Sequence, residues 1–222
     1  FEGERHHSHR LVRAIKNIKY RGVCAKVHLA LDDTPVFGRG DENGTQNAVL
    51  RGASITIAPS IEYLERAYDD AKYGKPSEAP YVDAVITTAL DPSLAPEGHH
   101  ILSAVVQYAP FKLKIGNWDQ NRREALGDSV VNTLATYAPN LKDAIAHRHV
   151  LTPADLADRF ALTEGNIYHG EMTLDQVFMM RPVPGWGRYR TPLEGLYLCG
   201  AGAHPGGGLT ARRRRKERSG GS

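Results

Sequence analysis

Apolar and polar positions alternate at GVCAKVHLAL, where Val23, Ala25, Val27, Leu29 and Leu31 fall on one side. Successive side chains of a strand leave opposite faces of the pleat, so this period predicts a half-buried strand near 22–31. Further strands are expected near 53–58, at YVDAVITTAL (81–90) and at HHILSAVVQYAPF (near 100–109). The last two are separated by the turn-rich DPSLAPEG and read as antiparallel neighbours. HRHVL reads as a short strand and LYLCG as a short buried one.

The spacing changes to helical in three places. In PSIEYLERAYDDAKYG, Ile61, Leu64, Tyr68 and Ala71 share one face, with Ser60 as N-cap and Gly74 as stop, which predicts a helix over 61–73. Leu126, Val130, Leu134 and Tyr137 form the stripe of a longer helix near 118–137, with Pro139 just past its end. In TPADLADRF, Thr152 caps, Pro153 suits the first turn and Asp155 favours the positive N-terminus. DDTPVFGRGDENGTQN and TEGNIYHGE read as loop and turn, and QVFMMRPVPGWGRYRTPLEG as irregular. No regular βαβ series, internal repeat or dividing linker is present. The fold class is therefore α+β, a mixed, largely antiparallel sheet flanked by helices.

Composition narrows the function. The 222 residues are 41% hydrophobic and 24% charged, which suits a globular domain. No apolar run approaches the roughly 20 residues of a membrane span, and FEGERHHSHR offers no signal-peptide core. Cys24 and Cys199, each in an apolar strand-like run, read as buried free thiols of a reducing compartment. The cytoplasm is the expected location, or the mitochondrial matrix in a eukaryote. The tail ARRRRKERSGGS holds six basic residues against one acidic; removing its +5 from the net +3 leaves −2 for the rest. The body thus gives no case for nucleic acid, and the tail reads as disordered and solvated. His147 and His149 would share one strand face, but no Cys, Asp or Glu accompanies them at ligand spacing, so they read as surface histidines and no metal site is expected.

The candidate chemistry lies near the end, in GLYLCGAGAHPGGG. Gly200, Gly202, Gly206, Gly207 and Gly208 follow a strand-like run. Glycine lets backbone approach a ligand, and free N–H groups attract negative charge. The pattern is neither G-x-G-x-x-G nor a P-loop, so spacing alone leaves a cofactor cradle and a plain surface turn both open. Upstream, Tyr168, His169 and Glu171 sit in GNIYHGE, and Phe178, Met179 and Met180 read as core, with pocket lining as the alternative. GWGRYR puts Trp186 and Tyr189 between arginines and reads as a packed loop, with a stacking platform as the alternative.

GLYLCGAGAHPGGG resembles the C-terminal flavin motif of phytoene desaturase and amine oxidase-like FAD flavoproteins. YAPNLKDAI, TPADLADRF, GNIYHGEMTLDQVFMMRPVPGW and YRTPLEGLYLCGAGAHPGGG resemble one branch, the pyridine nucleotide-disulfide oxidoreductase domain-containing protein 2 type. The likeness runs from about Ile15 to Thr210. It implies a substrate domain at 15–194 and a flavin-contact segment at 195–210, between an atypical 1–14 and a basic tail at 211–222. Gly200, Ala201, Gly202, His204, Gly206, Gly207 and Gly208 would contact FAD, and Tyr168, Met180 and Trp186 would line a substrate pocket, with His169 the candidate acid–base. The resemblance also implies an N-terminal Rossmann half, whose G-x-G-x-x-G this chain lacks. Ala201 stands where many relatives carry an acidic residue, and the match stops after Thr210. The reading is thus a fragment of an FAD-dependent oxidoreductase with no FAD of its own, paired with the missing half or with a second copy. The alternative is a non-catalytic interaction module.

Overall fold

The computed structural model describes residues 2–37 and 54–207, with side chains from residue 9 onward. Gly208 and the tail at 211–222 lie outside the described residues, as does much of the DDTPVFGRGDENGTQN loop. The chain divides into two compact units, residues 22–165 and residues 1–21 with 166–222.

The first unit is built on five strands: β1 (Cys24–Leu31), β2 (Ser54–Ile57), β3 (Tyr81–Ile86), β4 (His100–Gln107) and β5 (Ile145–Leu151). They lie in the order β2-β3-β4-β1-β5, and every pairing is antiparallel. Helices join them, and the fold is α+β as its sequence pattern predicts. Counting α1 (Glu2–Lys16) of the other unit, they are α2 (Ile61–Lys72), α3 (Thr87–Leu90), α4 (Gln120–Ala135), α5 (Leu141–Ala144) and α6 (Pro153–Phe160).

Strand β1 lies between β4 and the edge strand β5, and its alternation is the cleanest. Val27, Leu29 and Leu31 meet Val82, Ala84 and Ile86 of β3, Leu102, Ala104 and Val106 of β4, and Leu126, Val130 and Leu134 of α4 in one core. The expected α4 stripe is correct up to Leu134, but Tyr137 lies past the helix and is exposed. Asp119 caps α4 by accepting from Arg122 N–H at 2.8 Å. Arg148 of β5 reaches Glu124 and Asp128 of α4, both at 2.6 Å. A Cβ at Gly127 would meet Arg148 Cζ at 2.8 Å, so glycine there admits the guanidinium between sheet and helix.

Several local expectations differ from the structure. The strand expected over 81–90 ends at Ile86, and residues 87–90 make a helical turn. The two threonines decide this. Thr87 Oγ1 donates to Ile101 O at 3.2 Å, and Thr88 Oγ1 accepts from Ile101 N at 3.2 Å, so hydroxyls replace ladder bonds. Helix α2 buries Ala67 and Ala71, whereas Ile61 and Tyr68 are exposed. Its Ser60 cap is in place, accepting from Tyr63 N–H at 3.1 Å. The Thr152 cap of α6 is reciprocal: Thr152 Oγ1 accepts from Asp155 N–H, and Asp155 Oδ2 accepts from Thr152 N–H at 2.8 Å. Among the described residues no helix is long and apolar enough to cross a membrane.

The sheet face away from α4 carries Lys26, His28, Asp83, Ser103 and His149 by alternation. Lys26 Nζ donates to Ser103 Oγ at 3.3 Å. His28 pairs across the ladder with His149, and the two rings stack at 6.2 Å. Burial first, then the nearby Lys26 and His149 charges, holds the His28 pKa below its ordinary 6.5.

Leu134→Ala empties a fully buried site and should cost about 2–5 kcal/mol in urea unfolding. His28 resists protonation in the folded chain but not in the unfolded one. The unfolded chain therefore binds the extra proton below about pH 6.5, and stability falls as pH drops through that point. Urea midpoints from pH 7.5 to 5.5 should decline less steeply in His28→Gln than in the unchanged chain; equal slopes would contradict the assignment.

Candidate functional site

The glycine loop belongs to the second unit, and short-range bonds shape it. Gly200 has φ +85°, and Ala203 N–H donates to Gly200 O at 3.1 Å, which closes a turn over 200–203. A second turn follows, with Gly206 N–H to Ala203 O at 2.9 Å and Gly206 at φ +127°. Ala203, at the junction, is 1% exposed.

The preceding LYLCG segment is not the buried strand its apolar run predicts. Its ladder is a single bridge, Arg190 to Tyr197. Leu196, Tyr197 and Leu198 stay exposed, as does Cys199, so only Cys24 is the buried thiol expected. A lone extended segment cannot bury both of its faces without strands on either side, and none flanks it among the described residues.

Beneath the loop lies Arg181, 3% exposed. Its Nε donates to Ala201 O at 2.8 Å, and Nη1 donates to Glu171 O and Gln176 O, both at 3.1 Å. Nη2 donates to Tyr168 O and, at 3.2 Å, to Gly170 O. Burying a guanidinium is costly unless its donors are met, and here five carbonyls meet them. The 168–176 segment and the loop are thereby folded round one side chain. Asn166 completes the wrap: its Oδ1 accepts from Tyr168 N–H at 2.8 Å and its Nδ2 donates to Tyr20 O.

The sequence-derived candidates separate into two groups. Tyr168 and His169 come to the loop. A Cβ at Gly207 would lie 2.1 Å from the Tyr168 ring, and one at Gly202 would lie 3.5 Å from His169 Cβ. His169 itself has φ +56°, a left-handed conformation uncommon outside glycine. Met180 and Trp186 are tied only to their own turns, through Met180 N–H to Val177 O and Trp186 N–H to Val183 O. Phe178, Met179 and Met180 are exposed rather than core; a 3-10 turn at 178–180 turns them out while Phe178 N–H donates to Pro205 O at 2.9 Å. Arg181 and Met172 join the site without having been singled out, and Tyr189 of GWGRYR joins it as well. The signal for Arg181 was an arginine set among Met179, Met180, Pro182 and Val183, a charge where the pattern is apolar.

The loop fits a flavin contact in its first half. Among the described residues nothing stands within 4 Å of a Cβ built at Gly200. His204, edge-on to Tyr189 at 6.2 Å, has a buried Nδ1 without a hydrogen-bond partner among the described residues. Such an orphaned ring nitrogen suits a ligand donor or acceptor. The second half is filled from within: Tyr168 occupies the space at Gly207, and Met172 Cε would lie 3.0 Å from a Cβ at Gly206. Away from the loop, among the described residues no group of three or more His, Cys, Asp or Glu side chains is placed to hold a metal ion.

No family model matches the chain. Individual proteins do. It is 40% identical over 201 residues, 89% of its length, to pyridine nucleotide-disulfide oxidoreductase domain-containing protein 2 of Rattus norvegicus, of which it covers 35%. A limonene dehydrogenase polypeptide of Castellaniella defragrans is 33% identical over 82% of the chain and 34% of that protein. Phytoene desaturase (lycopene-forming) of Pseudescherichia vulneris is 32% identical over 54% of the chain and 23% of that protein. The chain thus spans about a third or less of the length of the curated relatives it matches. By sequence it is thus similar to part of the pyridine nucleotide-disulfide oxidoreductase domain-containing protein 2 relatives, and less closely to part of a phytoene desaturase.

Proposed function

We propose that the chain is the substrate-side sheet and last cofactor-contact segment of an FAD-dependent oxidoreductase acting on a hydrophobic substrate. The observation that carries this is the match along 89% of the chain to an oxidoreductase about three times as long. The limonene and phytoene of its other relatives' names support an apolar substrate. In this reading residues 15–194 serve the substrate side and residues 195–210 contact the cofactor. When bound, FAD supplies the hydride acceptor for oxidation of a C–C or C–N bond.

The chain's own residues would then bind and orient. The glycines from Gly200 to Gly202 would let a flat ligand approach the backbone, and a rotation of the His204 ring would bring Nδ1 to it. Gly206, Gly207 and Gly208 continue the contact after Tyr168 and Met172 move aside. His169, beside Gly202, is placed to hold or pass a proton near the ligand. Tyr168, Met180 and Trp186 would border the substrate.

The distribution of exposed apolar side chains supports a missing partner. Leu174, Phe178, Met179, Leu193, Leu196 and Tyr197 are between 49% and 88% exposed, all within one short stretch. Patches of that kind mark surfaces that meet other protein. The remainder of a full-length relative is the natural cover, and a second copy of this chain is the other. A purely non-catalytic module is not favoured, since the relatives named above carry the names of enzymes.

The chain has no G-x-G-x-x-G to hold the adenosine half of FAD, and dinucleotide affinity depends heavily on that half. The purified chain should therefore be colourless, and FAD added to it should show no saturable fluorescence quenching at equimolar concentration. A stoichiometric yellow flavin carried through purification would overturn the fragment reading.

A further inference from the structure

We propose that Arg181 is the positioning residue of the glycine loop. It selects the orientation of the Ala201–Gly202 peptide, and so makes the Gly202 N–H the loop's donor to a ligand oxygen. Only the identity of that ligand as a flavin rests on the function proposed above.

The Ala203 N–H to Gly200 O bond makes 201 and 202 the two central residues of a four-residue turn. The peptide between them is the one part of such a turn that has two orientations. Type I and type II turns differ chiefly by a flip of this unit, which exchanges the faces on which its carbonyl and N–H emerge. Glycine, as at Gly202, tolerates either. Nothing within the turn itself therefore fixes the choice.

Arg181 does. Its Nε holds Ala201 O at 2.8 Å from below. The Ala201–Gly202 bond is not among the cis peptides, and in a planar trans peptide the N–H points opposite to the carbonyl. Drawing the carbonyl toward the buried guanidinium sends the Gly202 N–H away from it. That N–H makes no hydrogen bond among the described residues, and Gly202 is partly exposed. The guanidinium cannot easily swivel to release the carbonyl, because Glu171, Gln176, Tyr168 and Gly170 carbonyls hold its other donors. A flipped turn would present the Ala201 carbonyl instead, which repels an oxygen or an anion.

Lysine at 181 keeps a charge but is a point donor without the planar fork, so it cannot reproduce this set of bonds. Nuclear magnetic resonance of the full chain tests the proposal in three steps. In the unchanged chain, a hydrogen-bond coupling from Arg181 Nε to the Ala201 carbonyl carbon should be detected; its absence overturns the proposal even if every variant unfolds. In Arg181→Lys, the cross-relaxation pattern between Ala201 and the Gly202 amide should switch or double, with amide signals of 24–31 and 100–107 unmoved. An unchanged pattern overturns it. In the unchanged chain, riboflavin or inorganic phosphate in excess should shift the Gly202 amide, with at least a tenfold weaker response in Arg181→Lys. A shift with riboflavin identifies a flavin carbonyl, and a shift with phosphate alone identifies an anion and counts against the flavin reading. No shift with either overturns the donor role of Gly202, whatever the turn does.

Discussion

A buried guanidinium must have its donors met, and the glycine-loop unit depends on that requirement. Arg181 is permanently charged and almost fully enclosed. Leaving such a group without its partners costs about 3–5 kcal/mol, more than any single apolar contact in the unit returns. The carbonyls it gathers come from Tyr168, Gly170, Glu171, Gln176 and Ala201. These stretches have little regular secondary structure to organise them. The side chain takes the place of a ladder, and the glycine loop inherits its conformation from it.

The sheet unit rests on a different economy. Strand β1 is bonded on both sides, to β4 and β5, and its Val27, Leu29 and Leu31 share one core with Leu126, Val130 and Leu134 of α4. Its stability comes from ordinary one-sided burial. The opposite face keeps Lys26 and His28 half out of water, and burial lowers the pKa of both.

Local periodicity carried most of the sheet unit. The alternation in β1, the stripe in α4 and the caps Ser60 and Thr152 are each decided by residues a few positions apart, and each is found in place. Errors arose where distant groups compete. Thr87 and Thr88 look like strand residues until Ile101 bonds to them. Leu196 to Leu198 look like a core strand, but burial needs neighbours that no local pattern reveals. The glycine loop was legible as a turn, with a cradle and a plain surface turn both open, and no spacing pointed to its contacts with Tyr168 and His169. Arg181 was not legible as a hub, because five carbonyls spread over thirty-four residues leave no motif.

The central claim is that this chain completes a cofactor site begun elsewhere. Co-expression with the remaining two thirds of the rat relative, supplied as a separate polypeptide, measures it directly. The account predicts a complex that purifies with bound flavin, seen as the flavin absorption band, and in which neither part alone retains it. A partner that retains full flavin without this chain, or a complex that stays colourless, would contradict it.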